Sequence, residues 1–238
     1  WSTKYLLADS TYKNDYPTIA IFNSMLLKEY FENNHYHFAH SFAFDPVLND
    51  GLRNALEKIP EQVRKKKQIL VYGRPGTERN AFNLVVAALK KWVFMQPDIE
   101  EWEILSAGEM HRTVALGNGK ELTSVGKLSI EEYANMLEES YAGISLMCSP
   151  HPSYPPLEMS VFDVKTITNT YANKDLKEFN ENIISLDNIS PMNIAKHLVE
   201  ICKSYQTEVR HIAANPLYVK NDHVFDFVED IKKILDEE

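Results

Sequence analysis

The chain has 238 residues, a hydrophobic content of 44% and a formal net charge of −9, from 25 basic and 34 acidic side chains. This length and apolar content suffice for one large α/β domain, or for one domain and a fragment of another. The acidic balance argues against nucleic acid as a partner and against a surface built to coat an anionic membrane.

Residues 1–63 are predicted to form the end of a preceding α/β domain and the linker that follows it. YPTIAIFNS indicates a strand entering a turn, MLLKEYFENN a helix, and HYHFAHSF a second, more polar strand. The chain begins at Trp1, in material typical of the middle of a domain. We therefore expect a piece of a longer protein from which most of an N-terminal domain is missing.

A basic run, RKKK at 64–67, precedes the first strand of the second part. The simpler interpretation of this run is a solvated stretch, and the alternative is a contact with a partner or an anionic membrane. Peripheral association with the inner face of the membrane therefore stays open. The sequence contains no apolar stretch long enough to cross a bilayer.

Residues 64–238 are predicted to form one domain that ends in a C-terminal helix. Strands alternate with helices in this part, which indicates an α/β fold with a doubly wound, Rossmann-like parallel sheet. The ligand of such a sheet binds beyond the carboxyl ends of the strands. The six predicted strands are QILVYG (68–73), WEILSAG (102–108), LTSVGK (122–127), AGISLMC (142–148), VKTITN (164–169) and IISL (183–186).

Helix starts are predicted at four places, three between these strands and one after the last of them. A further helix is predicted near the end of the chain. Asn80 is expected to cap the first helix, SIEE at 129–132 is a capping box, Leu157 lies near the start of a third helix, and Ser190 followed by Pro191 starts a fourth. The last helix is predicted from about His223 to Leu235, packed back across an earlier part of the chain.

The two cysteines, Cys148 and Cys202, are widely separated and fit neither a disulfide framework nor a zinc-ligand pattern. This usage fits a reducing, cytoplasmic compartment. No acidic DxD-type motif stands where a metal would be needed, so we expect no metal site.

The first strand of the second part ends in VYGRPGTERN, a glycine turn that leads into a helix. Gly73 allows a tight backbone turn, and Arg74 and Arg79 present guanidinium groups that can reach a diphosphate from two sides. An ordinary turn with two surface arginines is the alternative interpretation of this pattern.

Two further loops at the same edge of the sheet carry candidate ligand contacts. After the third strand, Gly126, Lys127 and Leu128 form a loop that can lay its backbone against a nucleobase. After the fourth, the proline-rich CSPHPSYPPLEMS runs into a helix, and Glu158 can accept hydrogen bonds from the two hydroxyls of a ribose. His151, Ser153 and Tyr154 of that stretch are assigned with Glu158 to sugar or ribose binding, although a solvated loop and a capping carboxylate would look the same.

Taken in order, YGRPGTERN, WEILSAGE, VGKLSIEEYANML, SPHPSYPPLEM and TITNTYANKDL resemble the donor-domain motifs of bacterial GT-B glycosyltransferases, and most of all rhamnosyltransferases of polysaccharide and rhamnan synthesis. The resemblance implies that Arg74 and Arg79 bind the donor diphosphate, that Gly126, Lys127 and Leu128 bind the base, and that Glu158 binds ribose. The pattern departs from the family at Pro150, where the first glutamate of a pair usually stands, and at Asp163, where glycine is usual.

The resemblance further implies two Rossmann-like domains around a cleft: an acceptor domain, of which residues 1–63 are the end and the linker and most of which is missing, and a nucleotide-sugar donor-binding domain at 64–238. It also implies metal-independent transfer of a hexosyl group from a nucleoside-diphosphate sugar to a growing cell-surface glycan. It suggests dTDP-rhamnose as the donor and requires no cofactor, and the catalytic residues remain unknown. A non-hydrolysing nucleotide-sugar epimerase and a catalytically silent nucleotide-binding module are the alternatives. Turnover with a glycan acceptor separates the transferase from the epimerase, and saturable binding without turnover favours the module.

Overall fold

The computed structural model describes residues 11–13, 15–212 and 215–237. The residues from 15 to 61, called the first segment below, contain the predicted order of strand, helix and strand. These are β1 (Ile19–Phe22), α1 (Met25–Asn33) and β2 (His40–Ala43), and β1 and β2 pair in parallel. A further helix, α2 (Asp50–Leu56), follows and is capped by the Asn49 side chain, which accepts from the backbone N–H of Gly51.

The central feature is a seven-stranded sheet. Nine more strands follow the first segment: β3 (Gln62–Arg64), β4 (Lys66–Gly73), β5 (Glu103–Gly108), β6 (Val114–Gly117), β7 (Lys120–Gly126), β8 (Ser140–Ile144), β9 (Lys165–Asn169), β10 (Ile183–Leu186) and β11 (Glu208–Arg210). The large sheet has the order β10-β9-β8-β4-β5-β7-β6, and every pair in it is parallel except β6–β7. The predicted α/β class with a parallel sheet is confirmed.

All six predicted strands are present, but the fourth was predicted too long, and three further strands, β3, β6 and β11, were not predicted. The strand β6 was not predicted, although Asn118 and Gly119 between β6 and β7 form the Asn-Gly pair that favours a tight hairpin, and both have positive φ. The fourth predicted strand was extended too far, because β8 ends at Ile144 and the residues up to Cys148 form a loop. Continuous apolar character does not separate a strand from a buried loop.

Helices cover both faces of the large sheet. They are α3 (Phe82–Trp92), α4 (Ile130–Glu139), α5 (Pro155–Val161), α6 (Pro191–Lys203), α7 (Pro216–Val219) and α8 (Val228–Glu237). One hydrophobic core contains the buried side chains of α3 and α6, and a second contains those of α2, α4 and α5. The doubly wound arrangement thus buries a separate apolar layer on each side of the sheet.

Three predicted helix starts are confirmed, including the one near Leu157, where α5 begins at Pro155, and one is wrong. Ser129 and Glu132 form the reciprocal capping box of α4, and the Ser190 side chain accepts from the Asn193 backbone at the start of α6. Asn80 does not cap α3. A short 3-10 turn ends at Asn80, Ala81 at φ 50° occupies the N-cap position, and the buried Asn80 side chain donates instead to the carbonyl of Leu146 at 3.3 Å.

The C-terminal segment packs against the first segment, as expected, although its helix begins at Val228 rather than His223. Phe227 stacks on Phe42 with ring centroids 5.5 Å apart, and Phe225 lies 5.3 Å from Phe44. Residues two apart point away from each other on an α-helix. The turn before α8 therefore lets Phe225 and Phe227 both contact β2 and the residue that follows it.

Most of the basic run at 64–67 is engaged within the chain. Lys65 is buried and donates to the carbonyls of Leu137 (3.1 Å) and Phe162 (2.6 Å). Lys66 pairs with Glu139, and Lys67 pairs with Asp98 and Glu101. The run is therefore not a free basic surface. No helix in the described ranges has the length and apolar character needed to cross a membrane.

Candidate functional site

A cavity of about 850 Å³ opens at the carboxyl ends of the central strands. Its walls come from the segments that follow β4, β5, β7 and β8, together with the first turn of α5. Asn23 and Leu27 of the first segment also line it. The cavity therefore lies between the first segment and the sheet domain, where doubly wound sheets bind their ligands.

The structure gathers most of the predicted site residues around this one cavity. The lining includes eight of them: Arg74, Arg79, Lys127, Leu128, His151, Ser153, Tyr154 and Glu158. Gly73 and Gly126 lie behind the wall and shape it. A Cβ on Gly73 would stand 1.9 Å from Oγ of Ser106, and Gly126 has φ +69° with Met110 Cε 2.7 Å from the Cβ position. The ligand roles of all ten residues remain predictions.

Arg74 and Arg79 form no ion pair with a carboxylate of the described residues, although Glu109 accepts from the N–H of Gly76 between them at 3.1 Å. The arginine ion pairs in that part of the chain are Arg53–Asp50 and Arg210–Glu61. Arg74 directly follows β4, and Arg79 lies in the 3-10 turn, where its carbonyl accepts from the N–H of Cys148 at 2.7 Å. The turn that carries Arg74 and Arg79 is thus joined to the loop after β8, and both arginines line the cavity.

Glu158 lies in the first turn of α5 and receives a hydrogen bond from Tyr133 of α4. Tyr133 Oη donates to Glu158 Oε2 at 3.1 Å. Burial raises the pKa of the Glu158 carboxyl to about 7, and the Tyr133 hydroxyl acts in the opposite direction. Burial and the nearby Glu158 charge hold the pKa of Tyr133 well above its usual range, so this phenol remains a donor. Near neutral pH, Glu158 exists in both protonation states.

His151 is held in one tautomer by its own loop. Its Nδ1 accepts from the N–H of Ser153 at 2.9 Å, so the proton of the neutral ring is on Nε2. Burial lowers the pKa of His151, the backbone of Asn23 beside the ring raises it, and the positive charges of Lys174 and Arg79 lower it further. Ser153 has φ 70°, a conformation that side chains seldom adopt. Nε2 is buried and forms no hydrogen bond of normal geometry among the described residues, although the Asn23 backbone lies near the ring.

Several cavity residues were missed by sequence reasoning. Tyr133 directly follows the capping box at 129–132, and nothing in the sequence showed that its hydroxyl reaches Glu158. Tyr72 and Met147 belong to apolar strand patterns that gave no sign of a ligand role, and Asn23 and Leu27 come from a distant part of the chain. Only the three-dimensional arrangement brings these side chains to the cavity.

Asp163 stands where glycine is usual in the family that the sequence motifs resemble, and it has φ 59°. Glycine adopts this left-handed conformation without strain, and aspartate tolerates it better than most residues. The buried carboxylate accepts from the N–H of Ile212 at 2.8 Å and contacts Nδ1 of His211. Asp163 thereby connects the end of α5 to the C-terminal segment.

No group of three or more His, Cys, Asp or Glu side chains suited to a metal ion occurs within the described parts of the chain. The expectation that the protein works without a metal stays a prediction.

Sequence comparisons match two parts of the chain. The family of WsaF C-terminal domains matches residues 67–199, and the family of WsaF N-terminal domains matches residues 1–25. The O-antigen biosynthesis protein RfbC of Myxococcus xanthus is 35% identical over 127 residues, which are 53% of this chain and 10% of that protein. The match therefore spans about a tenth of that relative's length.

Solved structures of low sequence identity share the fold. Anabaena Alr3699/HepE, in complex with UDP and glucose, superimposes with a TM-score of 0.66 at 11% identity, covering 100% of this chain and 68% of that one. Sucrose-phosphate synthase from Thermosynechococcus elongatus gives 0.59 at 11% identity, covering 100% and 63%. The fold is that of the GT-B glycosyltransferases.

Proposed function

Because the chain belongs to the family of WsaF C-terminal domains, we propose that it contains the nucleotide-sugar-binding domain of a glycosyltransferase of polysaccharide biosynthesis. The observation that carries this proposal is the pair Arg74 and Arg79. Both line a cavity at the carboxyl ends of parallel strands, and neither forms an ion pair with a carboxylate in the described ranges. Two unpaired guanidinium groups favour a diphosphate, which they can bind through charge-assisted hydrogen bonds.

The remaining cavity residues suit the other parts of a nucleoside-diphosphate sugar. Glu158, when ionised, accepts from ribose hydroxyls, and the turn at Lys127 and Leu128 at the start of α4 accommodates the base. His151, Ser153 and Tyr154 then face the transferred sugar. Glu158 is the only carboxylate among the lining residues, so the cavity is more positive than the chain as a whole, which has a net charge of −9.

The proposed reaction is transfer of a hexosyl group from the nucleotide to a glycan acceptor. The departing diphosphate gains negative charge as the glycosidic bond breaks, and the guanidinium groups stabilise that charge without a metal. The acceptor would approach from the side of Asn23 and Leu27. The relative RfbC is named for O-antigen biosynthesis, which supports a cell-surface glycan as the product. The motif resemblance favours dTDP-rhamnose as the donor.

A calorimetric screen tests this proposal. The chain is titrated with dTDP-, UDP- and GDP-sugars and with the corresponding diphosphates, and the donor that binds is then incubated with glycan acceptors. Saturable binding of a nucleotide sugar and acceptor-dependent release of the diphosphate support the transferase. Conversion of the nucleotide sugar without an acceptor would point to an epimerase, and binding without any turnover to a silent module. Absence of binding to every nucleotide would overturn the proposal.

A further inference from the structure

Lys174 is a fully buried lysine that lies directly behind the cavity wall. It follows β9 in a turn closed by two backbone hydrogen bonds, Tyr171 N–H to the Lys174 carbonyl at 3.0 Å and the reverse at 2.8 Å. Its ammonium donates to the carbonyl of Met147 at 2.7 Å. Met147 lines the cavity, so this one residue separates the ammonium group of Lys174 from the space that a ligand would occupy.

The peptide groups of Met147 are held from two sides. The Met147 N–H donates to Oδ1 of Asn169 at 2.7 Å, and its carbonyl accepts from Nδ2 of Asn169 at 3.2 Å as well as from Lys174. The loop that starts here carries Ser149 and His151 into the cavity. Lys174 and Asn169 therefore fix the position from which this loop leaves the sheet.

The charge of Lys174 is not compensated inside the described parts of the chain. No carboxylate there lies within ion-pair distance of it, and burial lowers its pKa to about 8, opposed only by Cys148. Lys65 offers a direct comparison: it is equally buried and its pKa is also lowered to about 8, but the charges of Asp163 and Glu138 support its protonated form. A buried cation without a counter-charge is costly, and such a cost is typical of sites where a ligand supplies the opposite charge.

Other basic groups converge on the same end of the cavity. The charges of Lys174 and Arg79 both disfavour protonation of His151, and Asp45 is the carboxylate that acts against them. Glu29 of α1 accepts from Asn173, next to Lys174, at 3.3 Å, and Asp175, the residue after Lys174, pairs with Lys177 at 3.2 Å. The thiol of Cys148 is the ionisable group that supports the protonated form of Lys174. Lys174 therefore has no carboxylate partner among the described residues, and an anionic ligand would supply the missing charge.

We propose that Lys174 is a positioning residue for the anionic group of the ligand, because its buried ammonium fixes the Met147 peptide and adds positive charge behind the diphosphate held by Arg74 and Arg79. This inference rests on the proposed function, since the anionic group is the donor diphosphate. Lys174 acts through the loop and through its electric field, without touching the ligand.

The test compares the affinities of a nucleoside diphosphate and of the matching nucleoside for the full chain, by calorimetry and by ligand-observed NMR. The variants are Lys174→Met, Lys174→Arg and the matched control Lys65→Met. Lys174→Met should weaken nucleoside-diphosphate binding by about three- to tenfold at pH 7 and leave nucleoside binding unchanged, because only the diphosphate senses the lost charge. Lys65→Met should leave both affinities unchanged.

The pH profile supplies a second measurement, which does not depend on how well Lys174→Met folds. Lys174 is charged below about pH 8 and loses its charge above it. The affinity of the wild-type protein should therefore fall between pH 8 and 9 relative to Lys174→Arg, whose guanidinium stays charged. The same fall should persist in Cys148→Ala, which removes the neighbouring thiol.

Three results would overturn the inference. Equal weakening of nucleoside and nucleoside diphosphate in Lys174→Met would mean that Lys174 only supports the loop. Unchanged affinities in that variant, or parallel pH profiles of wild type and Lys174→Arg, would mean that its charge is irrelevant to the ligand. A wild-type chain that binds no nucleotide at all would instead remove the proposed function, and this inference with it.

Discussion

The hydroxyl of Tyr133 donates to Oε2 of Glu158 at 3.1 Å, across 25 residues of sequence, and connects the start of α4 to the start of α5. The two side chains belong to the two helices whose N-terminal turns face the cavity. The contact orients the single carboxylate of the cavity lining. It also opposes the effect of burial, so that the pKa of Glu158 lies at about 7 rather than higher.

The affinity for a nucleotide sugar should therefore rise with pH through neutrality. Ribose hydroxyls bind the ionised carboxylate better, and with a pKa of about 7 only about a tenth of Glu158 is ionised at pH 6. We expect a gain of about three- to tenfold between pH 6 and 8 in the wild type and a flat profile in Glu158→Gln. Tyr133→Phe should move the midpoint to higher pH, because it removes a donor to the ionised form. Calorimetry with a nucleotide sugar checks this, and equal slopes in all three proteins would contradict it.

Arg74→Ala and Arg79→Ala should each weaken nucleoside-diphosphate binding by about tenfold or more, since a hydrogen bond to a charged group contributes about 1.5–3 kcal/mol. Arg112→Ala, which changes an exposed arginine outside the cavity lining, is the control and should bind as the wild type does. Normal affinity in both cavity variants would remove the diphosphate assignment.

His151→Ala should lower the affinity for a nucleotide sugar more than the affinity for the diphosphate alone. Nε2–H is a buried donor that forms no hydrogen bond of normal geometry among the described residues, with the Asn23 backbone nearby, and a sugar oxygen would satisfy it. The loss should be about fivefold, as for one neutral hydrogen bond. Parallel titrations with the two ligands measure the difference, and an equal loss for both would place His151 at the phosphates instead.

Asp163→Ala should lower the free energy of unfolding by about 2–4 kcal/mol, because it leaves the Ile212 N–H unpaired and keeps a Cβ in the left-handed region. Asp163→Gly should lose about 1 kcal/mol less, since glycine adopts that conformation without strain. Urea denaturation of the three proteins measures both effects. An alanine variant as stable as the wild type would show that the carboxylate contributes nothing to the connection with the C-terminal segment.

Local patterns were sufficient to predict most of the large sheet. Apolar runs bounded by turns located β4, β5, β7, β8, β9 and β10, and the Ser129 capping box located the start of α4. Each of these signals is contained in a few neighbouring residues. Asn80 shows the limit of such signals, because its side chain satisfies the distant carbonyl of Leu146 instead of the first turn of its own helix.

The candidate site was predictable where single loops carry it and unpredictable where it depends on contacts between loops. Arg74, Lys127 and Glu158 each follow a strand, so sheet topology brings them together. Tyr133 and Lys174 have apolar or ordinary surface patterns in the sequence. Their importance follows from contacts with Glu158 and Met147, which no local pattern encodes.

The central claim, that the cavity binds a nucleoside diphosphate through two unpaired arginines, is tested most directly by calorimetric titration of the wild-type chain and of the double variant Arg74→Ala/Arg79→Ala with dTDP, UDP and GDP. We predict saturable one-to-one binding of at least one of these diphosphates by the wild type and a loss of about a hundredfold or more in the double variant. Equal affinities of the two proteins, or no binding of any of the three by the wild type, would contradict the account.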